Sequence, residues 1–332
     1  MSAGQVPGGA ERKRRGRSPA ARAWRRLVRR RATRFAMGVL LLVALLAASA
    51  PLLPLAPPSA VHLELAAARP SLDTPPADER APSLRGALFG DATLPALCGR
   101  DPLGRDLLSR IVWGARISLV TALAAALVSL VVGVLWGAVA AYRGGVVDEA
   151  MMRVVDLLYS VPFIFAVIFL VSLARGAALV EGPTANLAVF LVTLGLVYWL
   201  TMARVVHGQV TALRHREFVE GARALGAPGT RIILAHLLPN LAPVVVVTLT
   251  LTVPRILLFE AFLSFLGLGV EAPLVSWGTL ARDAFEALTP IATPWWLVLF
   301  PSLAFAITLG ALNHLGDALR DALDPRDTLR GR

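Results

Sequence analysis

Apolar residues gather into six long runs, each bounded by charged, glycine or proline residues. A helix needs about 20 apolar residues to cross roughly 30 Å of hydrocarbon, and lipid offers no partner to a free backbone amide. The pattern therefore predicts an all-α integral membrane protein with six transmembrane helices. The predicted spans are Phe35–Leu55, Ile117–Tyr142, Leu157–Ala174, Leu187–Ala203, Leu241–Leu266 and Trp295–Leu315.

The positive charge of the chain is confined to its beginning. The 332 residues carry a formal net charge of +11, and residues 1–34 hold 12 of the 33 Lys and Arg residues against a single acid, Glu11. With 56% hydrophobic and 17% charged residues, the chain is too apolar for a soluble domain. A nucleic-acid binder acting through the tail is an alternative, but the apolar body counts against it. We therefore expect a membrane, and no nucleic acid, as the partner.

The distribution of Lys and Arg also predicts the orientation, because these residues collect in cytoplasmic loops. With the N-terminus inside, the cytoplasmic segments hold 23 of them and the outer segments hold 9. The chain is therefore predicted to be N-in and C-in. The predicted organisation is a basic cytoplasmic tail (1–34), a first transmembrane helix (35–55), an outer loop and elbow (56–116), a core with five transmembrane helices (117–315) that includes a cytoplasmic loop (204–239), and a cytoplasmic C-terminal tail (316–332).

The first span has an alternative interpretation as a secretory signal peptide. A basic segment, an apolar core and the sequence Ala48-Ser49-Ala50 imitate such a peptide and its cleavage site. Pro51 would follow the cut and hinder cleavage, and the apolar run continues to Leu55. We therefore expect a retained helix.

Several kinds of chemistry are not expected in this chain. Lys13 is the only lysine, and a P-loop needs a lysine to reach the phosphates, so no Walker-type ATPase is predicted. The single cysteine, Cys98, excludes a disulfide framework, and the five histidines show no metal-ligand spacing. We expect no catalytic residue, no metal and no cofactor in the chain itself.

The loop between the fourth and fifth spans contains a short amphipathic helix. From Glu217 onwards, Phe218, Ala222 and Leu225 recur at helical spacing and form one apolar stripe. Gly226 is predicted to end the helix. A helix this short needs a surface to dock on, and periodicity alone leaves open whether that surface is a partner protein or the chain's own membrane domain.

The fifth predicted span holds polar and helix-breaking residues. Glu260 lies inside the span, five residues from Arg255 and too far round the helix to pair well with it. We expect Glu260 to face the bundle interior, an aqueous pathway or a partner subunit, with a structural role or a cargo contact. Pro243 and Pro254 are predicted to kink the helix, and a role in gating is a further hypothesis.

The cytoplasmic loop resembles the "EAA" loop of ABC importer permeases. Glu220-Gly221-Ala222 is followed after three residues by Gly226 and after nine more by His236-x-Leu238-Pro239, with Gly221 and His236 departing from the usual Ala and Ile. In that family the loop forms a coupling helix that sits in a cleft of the ATPase subunit. The resemblance implies that contact with the ATPase is made by Glu217, Phe218, Glu220, Gly221, Ala222, Leu225, Gly226 and Pro239.

Further motifs resemble the peptide/nickel branch of these importers, specifically the second, C-type permease of the pair. The similarity covers about residues 97–326 and appears in the same order along the chain. The matching motifs are Asp101-Pro102-Leu103-Gly104-Arg105-Asp106, Gly114-Ala115-Arg116-Ile117-Ser118-Leu119, Glu260-Ala261-Phe262-Leu263-Ser264-Phe265-Leu266-Gly267, Ser276-Trp277-Gly278 and Leu323-Asp324-Pro325-Arg326.

This resemblance implies a type I ABC importer permease fold and an ATP-driven importer of small solutes, with di- or oligopeptides as the expected cargo. The implied partners are a second permease subunit in a heterodimer, two ATP-binding cassette subunits that hold ATP and Mg, and an external solute-binding protein. The implied location is the cytoplasmic (inner) membrane of a bacterium.

Two other functions, a secondary transporter and an intramembrane enzyme, are alternatives that the sequence favours less. An ion-coupled secondary transporter would show inverted repeats and several acids at the membrane midplane, whereas the sequence shows no repeat and one strong candidate, Glu260. An intramembrane enzyme would need a catalytic pair in facing spans, and no such pair is recognised.

Four charged residues are predicted to cluster at the outer mouth: Asp101, Arg105, Asp106 and Arg110. Asp106 and Arg110 can pair at i,i+4 spacing. The cluster is either an elbow whose charges satisfy one another or a contact for the binding protein.

Overall fold

The computed structural model describes residues 27–72, 93–176, 182–289 and 293–323, and this part of the chain is almost entirely helical. Besides a short 3₁₀ turn at Leu63–Leu65, the helices are α1 (Arg31–Ser49), α2 (Leu107–Arg143), α3 (Gly145–Ser160), α4 (Phe163–Gly176), α5 (Pro183–Leu213), α6 (Glu217–Ala224), α7 (Leu238–Phe265), α8 (Trp277–Ala287) and α9 (Trp295–Leu323). A turn at Gly229–Arg231 and a π-helical segment at Ile232–Leu237 lead directly into α7.

Within the described ranges, five helices are long and apolar enough to cross a membrane: α1, α2, α5, α7 with the turns before it, and α9. Helices α3 and α4 together would make a sixth crossing, but they meet at an angle of 92°. The third span predicted at Leu157–Ala174 is therefore not one continuous helix, because the chain breaks after Ser160. Pro162 explains the break, since proline disfavours helical geometry at the preceding residue, and Val161 is extended (φ −78°, ψ 126°).

Several helices begin or end at other residues than the predicted spans. Helix α1 ends at Ser49 rather than Leu55, just before Pro51. Helix α2 begins at Leu107, ten residues before Ile117. The last residues of the predicted outer loop and elbow (56–116) therefore form the first turns of this helix. Helices α5 and α9 continue past Ala203 and Leu315 into sequence that hydropathy assigns to loop and tail.

Helices α2 and α5 pack closely because glycines face the opposite helix. A Cβ added at Gly133 would lie 2.6 Å from Met202 Cβ, and one at Gly195 would lie 2.5 Å from Val128 Cβ. Neither position has room for a larger residue. Small residues at helix contacts allow close packing in membranes, where apolar burial alone does not distinguish protein from lipid.

The bundle has two ends, which we call the loop end and the elbow end. The loop end contains the C-terminus of α2 and residues 214–237, and the elbow end contains residues 100–110 and α8. Helix α9 starts at the elbow end, where Trp296 Nε1 donates to the Arg100 carbonyl at 3.1 Å, and it finishes at the loop end. There Arg30 pairs with Asp321 at 2.7 Å. The start of α1 and the end of α9 therefore lie at the same end of the bundle, as the N-in, C-in prediction requires.

Candidate functional site

Helix α6 lies at the loop end and has well-defined termini. Glu217 and Glu220 lie in its first turn, where negative charge complements the helix dipole. At the other end Gly226 adopts φ +75°, its N–H donates to the Arg223 carbonyl at 3.0 Å, and the Ala227 N–H donates to the Ala222 carbonyl at 3.1 Å. This is a Schellman cap. The predicted helix and its glycine stop are both present.

The face of α6 that packs on the bundle is not the predicted stripe. Val219 is fully buried in one apolar cluster with residues from the ends of α2 and α5, the π-helical segment and the start of α7, and Ala222 packs against the same cluster. Phe218 is 41% exposed and Leu225 is 89% exposed. Val219 and Ala222 share the i,i+3 spacing that could have revealed this face. The two outward apolar side chains are covered by nothing in the described chain.

The segments before and after α6 are both held against the end of α2, and the one after it continues into α7. Arg214 Nη1 donates to the Ala141 carbonyl at 2.6 Å, and Gly229 lies so close to Tyr142 that an added Cβ would be 2.7 Å from its ring. The π-helical segment then joins α7, in which Pro239 occupies the exposed first turn. A displacement of α6 would therefore be passed to α2 and α7.

Glu260 occupies the bundle interior, one of the three positions that the sequence allowed. Its side chain is fully buried and accepts hydrogen bonds from Ser118 of α2 at 2.8 Å and from Ser264 at 2.9 Å. The two hydroxyl oxygens in turn accept the backbone N–H groups of Trp277 and Val270, both at 3.2 Å. One carboxylate thus ties α2, α7 and the following loop together.

The two prolines of the fifth span lie within α7. Pro254 is buried and Pro243 is exposed, and the helix continues through both. Each proline removes one hydrogen bond from the helix. A role in gating remains a prediction.

The charged cluster at the elbow end is assembled differently from the predicted i,i+4 pair. Asp101 accepts Arg105 Nε and Arg110 Nη1, each at 2.5 Å. The same two arginines also reach Asp283 of α8, at 3.2 Å and 2.8 Å. Three of the four predicted residues are therefore joined, and the fourth partner, Asp283, lies too far along the chain for sequence spacing to reveal it.

The predicted pair of Asp106 with Arg110 is wrong. Asp106 is instead the N-cap of α2, where its carboxylate accepts the Ser109 N–H at 2.7 Å, a role that Asp commonly fills. Burial raises the pKa of Asp106 to about 6, against the lowering effects of that hydrogen bond and of the Arg100 guanidinium. Arg110 is thereby left free to join Asp101 and Asp283.

Comparison with known protein families assigns the chain to one of them. Residues 133–327, more than half of the chain, match the family described as binding-protein-dependent transport system inner membrane component. The chain belongs to this family. Residues 18–75 of the permease also match the N-terminal TM domain of oligopeptide transport permease C, which agrees with the second, C-type member of the pair.

Curated relatives of the permease carry consistent names. It is 44% identical over 229 residues to the oligopeptide transport system permease protein OppC of Escherichia coli (strain K12), covering 69% of this chain and 72% of the relative. The dipeptide transport system permease protein DppC of Bacillus subtilis is 42% identical over 228 residues, covering 69% and 68%. A putative peptide transport system permease protein of Brucella suis is 35% identical over 317 residues, 95% of each chain.

A solved structure supports the fold of the permease. The inward-facing MetNI methionine ABC transporter matches with a TM-score of 0.51 and 20% identity, covering 66% of this chain and 98% of that chain. The membrane domain therefore has an ABC importer permease fold, as the sequence predicts, and this family consists of transport subunits rather than enzymes.

Proposed function

We propose that the permease is one of two different membrane subunits of a bacterial ATP-driven importer, and that its cargo is a di- or oligopeptide. The relatives named above are dipeptide and oligopeptide transport permeases, and residues 18–75 match a domain named for that type. The family name supports a separate binding protein that delivers the cargo on the outer side.

In this proposal α6 is the coupling helix, and the observation that supports it is the pair of outward side chains Phe218 and Leu225. Both are apolar and exposed, on a short helix held at the end of the bundle. Exposed apolar side chains on an anchored helix suit insertion into a groove of a partner. The partner is a cytosolic ATPase subunit, which supplies the ATP and Mg that this chain is not expected to hold.

Energy would pass from the ATPase through contacts that the chain itself provides. ATP binding draws the two ATPase subunits together and carries both coupling helices with them. In this chain Val219 links that displacement to the bundle, since it is fully buried in one apolar cluster with residues of α2, α5, the π-helical segment and α7. The bundle then rocks between outward and inward openings, driven by the different affinity of the ATPases for ATP in the two states.

The proposal is tested by reconstituting the complete complex in proteoliposomes with its binding protein and a radiolabelled tripeptide. Uptake is expected to require ATP on the ATPase side and to be absent with a proton or sodium gradient alone. Leu225→Glu should lower peptide-stimulated ATP hydrolysis about tenfold, since a residue central to a protein interface contributes 1–2 kcal/mol or more. Val146→Glu, at an equally exposed position of the same end, is the matched control. Gradient-driven uptake, or full stimulation of Leu225→Glu, would contradict the proposal.

A further inference from the structure

A pocket of about 350 Å³ opens where the bent α3–α4 pair meets α5 and α7. We call it the Arg255 pocket. Its walls include the aromatic rings of Tyr159, Phe163, Tyr198 and Phe259, and Arg255 of α7 contributes the only charged side chain among the described lining residues. No residue of the coupling loop or of the elbow cluster contributes to it.

The Arg255 guanidinium is exposed and forms no ion pair with any carboxylate in the described part of the chain. Arg255 lies well inside the membrane-spanning helix α7. It lies 17 residues from the start of α7 and ten from its end, or about 26 Å and 15 Å at the rise of a helix. An arginine at this depth is costly in lipid and is found facing water, a polar ligand or a partner acid.

Three of the four aromatic side chains around Arg255, Phe163, Tyr198 and Phe259, are held in place by one another, and Arg204 lies over the ring of Tyr159 at 4.0 Å. Phe163 packs edge-on against Phe259 with ring centroids 4.3 Å apart and against Tyr198 at 4.9 Å. The Tyr198 hydroxyl donates to the backbone carbonyl of Arg255 itself at 3.3 Å. The walls of the pocket are therefore preformed beside the charge, as in ligand sites that combine apolar walls with a few polar groups.

The break before α4 places a second positive group at the pocket, although the proposal does not depend on it. Val161 and Pro162 border the pocket, so the amino-terminal end of α4, with its partial positive charge, lies on the same side as Arg255. Interrupted helices near the midplane are a recurring location of transporter binding sites.

We propose that the Arg255 pocket is a cargo subsite that binds a carboxylate next to an apolar or aromatic group, which in a peptide is the C-terminal residue with its free carboxylate. The planar guanidinium can hold a carboxylate through two parallel hydrogen bonds, and the aromatic walls can pack against the adjoining side chain. The inference rests on the proposed function, because it assumes that the cargo is a peptide. An acid of the second permease could meet the same arginine, but the preformed pocket favours a small ligand over a flat protein contact.

The test compares two tripeptides in the reconstituted complex, Ala-Ala-Phe with a free C-terminus and its C-terminal amide. Binding of each to the binding protein is measured separately, and uptake is normalised to it. For the free acid, Arg255→Gln should reduce uptake about tenfold to a hundredfold, the range of a charge-assisted hydrogen bond, with little change for the amide. Arg255→Lys should restore part of the loss. Arg153→Gln, at an exposed arginine outside the pocket, is the matched control, and thermal unfolding checks that each variant is folded.

Equal loss for the acid and the amide would overturn the inference and assign Arg255 to a structural pair with the second permease. Unchanged uptake in Arg255→Gln would also overturn it. If the unmodified complex imports neither tripeptide although the binding protein binds both, the proposed cargo class is wrong and the inference falls with it. The wild-type result thus tests the proposed function, and the variants test the pocket.

Discussion

Glu260 shows how one buried polar side chain can organise the surrounding backbone. Its two oxygens accept hydrogen bonds from the hydroxyls of Ser118 and Ser264, and those hydroxyls accept the backbone N–H groups of Trp277, the first residue of α8, and of Val270, in the loop before it. Gly278 allows this close approach, because an added Cβ would lie 2.3 Å from the Ala261 carbonyl oxygen. The arrangement favours a structural role for Glu260 over contact with cargo.

Replacement of Glu260 should therefore affect stability first. Glu260→Ala leaves the Ser118 and Ser264 hydroxyls without their buried acceptor, and we expect it to lower the free energy of unfolding by about 3 kcal/mol. Glu260→Gln keeps one carbonyl acceptor and should change it by no more than about 1 kcal/mol. The measurement is thermal unfolding of the purified permease in detergent, with the exposed Glu286→Gln as the control. Lost transport in Glu260→Ala at unchanged stability would instead indicate a place in the pathway.

The sequence predicted the types of residue at the elbow end better than their partners. Asp101, Arg105 and Arg110 do form one cluster, but Asp283, which completes it, is 173 residues from Arg110. Spacing rules reach only the next turn of a helix, so they suggested Asp106 as the partner. Asp is among the residues preferred at a helix N-cap, and in the structure the Asp106 carboxylate accepts the Ser109 N–H instead of pairing with Arg110.

At the scale of elements, hydropathy identified the long helices and misplaced the interruptions. The run Leu157–Ala174 is continuously apolar, yet Pro162 divides it into two helices at 92°. The hydropathy of the sequence does not reveal such a bend, because the residues on both sides of Pro162 in this run are apolar. For α6 the same limit applies: Phe218, Val219, Ala222 and Leu225 are all apolar, and which of them are buried depends on where the neighbouring helix ends lie.

Replacing Gly221, inside α6, and Gly226, in its C-terminal cap, should have opposite effects on the stability of the helix. Gly221 lies inside the helix with nothing within 4 Å of an added Cβ, so Gly221→Ala should stabilise it by about 1 kcal/mol. Gly226 is equally open but has φ +75°, so Gly226→Ala should destabilise the cap by about 1 kcal/mol. Amide hydrogen exchange of a peptide covering 217–226 should slow about fivefold in the first variant and accelerate about fivefold in the second. The same direction of change in both variants would contradict this account of the cap.

For the whole molecule, the contacts determine which segments share an end but not which side of the membrane each end faces. Arg30 meets Asp321, and Arg214 meets the end of α2, so the basic N-terminal side, α6 and the end of α9 lie together. The positive-inside rule assigns that end to the cytoplasm, since arginines collect there. The proposed role of α6 depends on this orientation, because a helix that couples to an ATPase must face the compartment that contains ATP.

Cysteine labelling tests this orientation with two exposed positions at opposite ends. With Cys98 replaced by Ala, Leu72→Cys and Val146→Cys introduce single thiols at positions that are 81% and 83% exposed. Leu72 follows Ser71, whose N–H donates to the Ala96 carbonyl near the elbow end, and Val146 follows the end of α2 at the loop end. A membrane-impermeant maleimide added to intact spheroplasts should label Leu72→Cys at once and Val146→Cys only after permeabilisation. The reverse pattern would place α6 outside the cell, where no ATPase could reach it, and the proposed mechanism would fail with the topology.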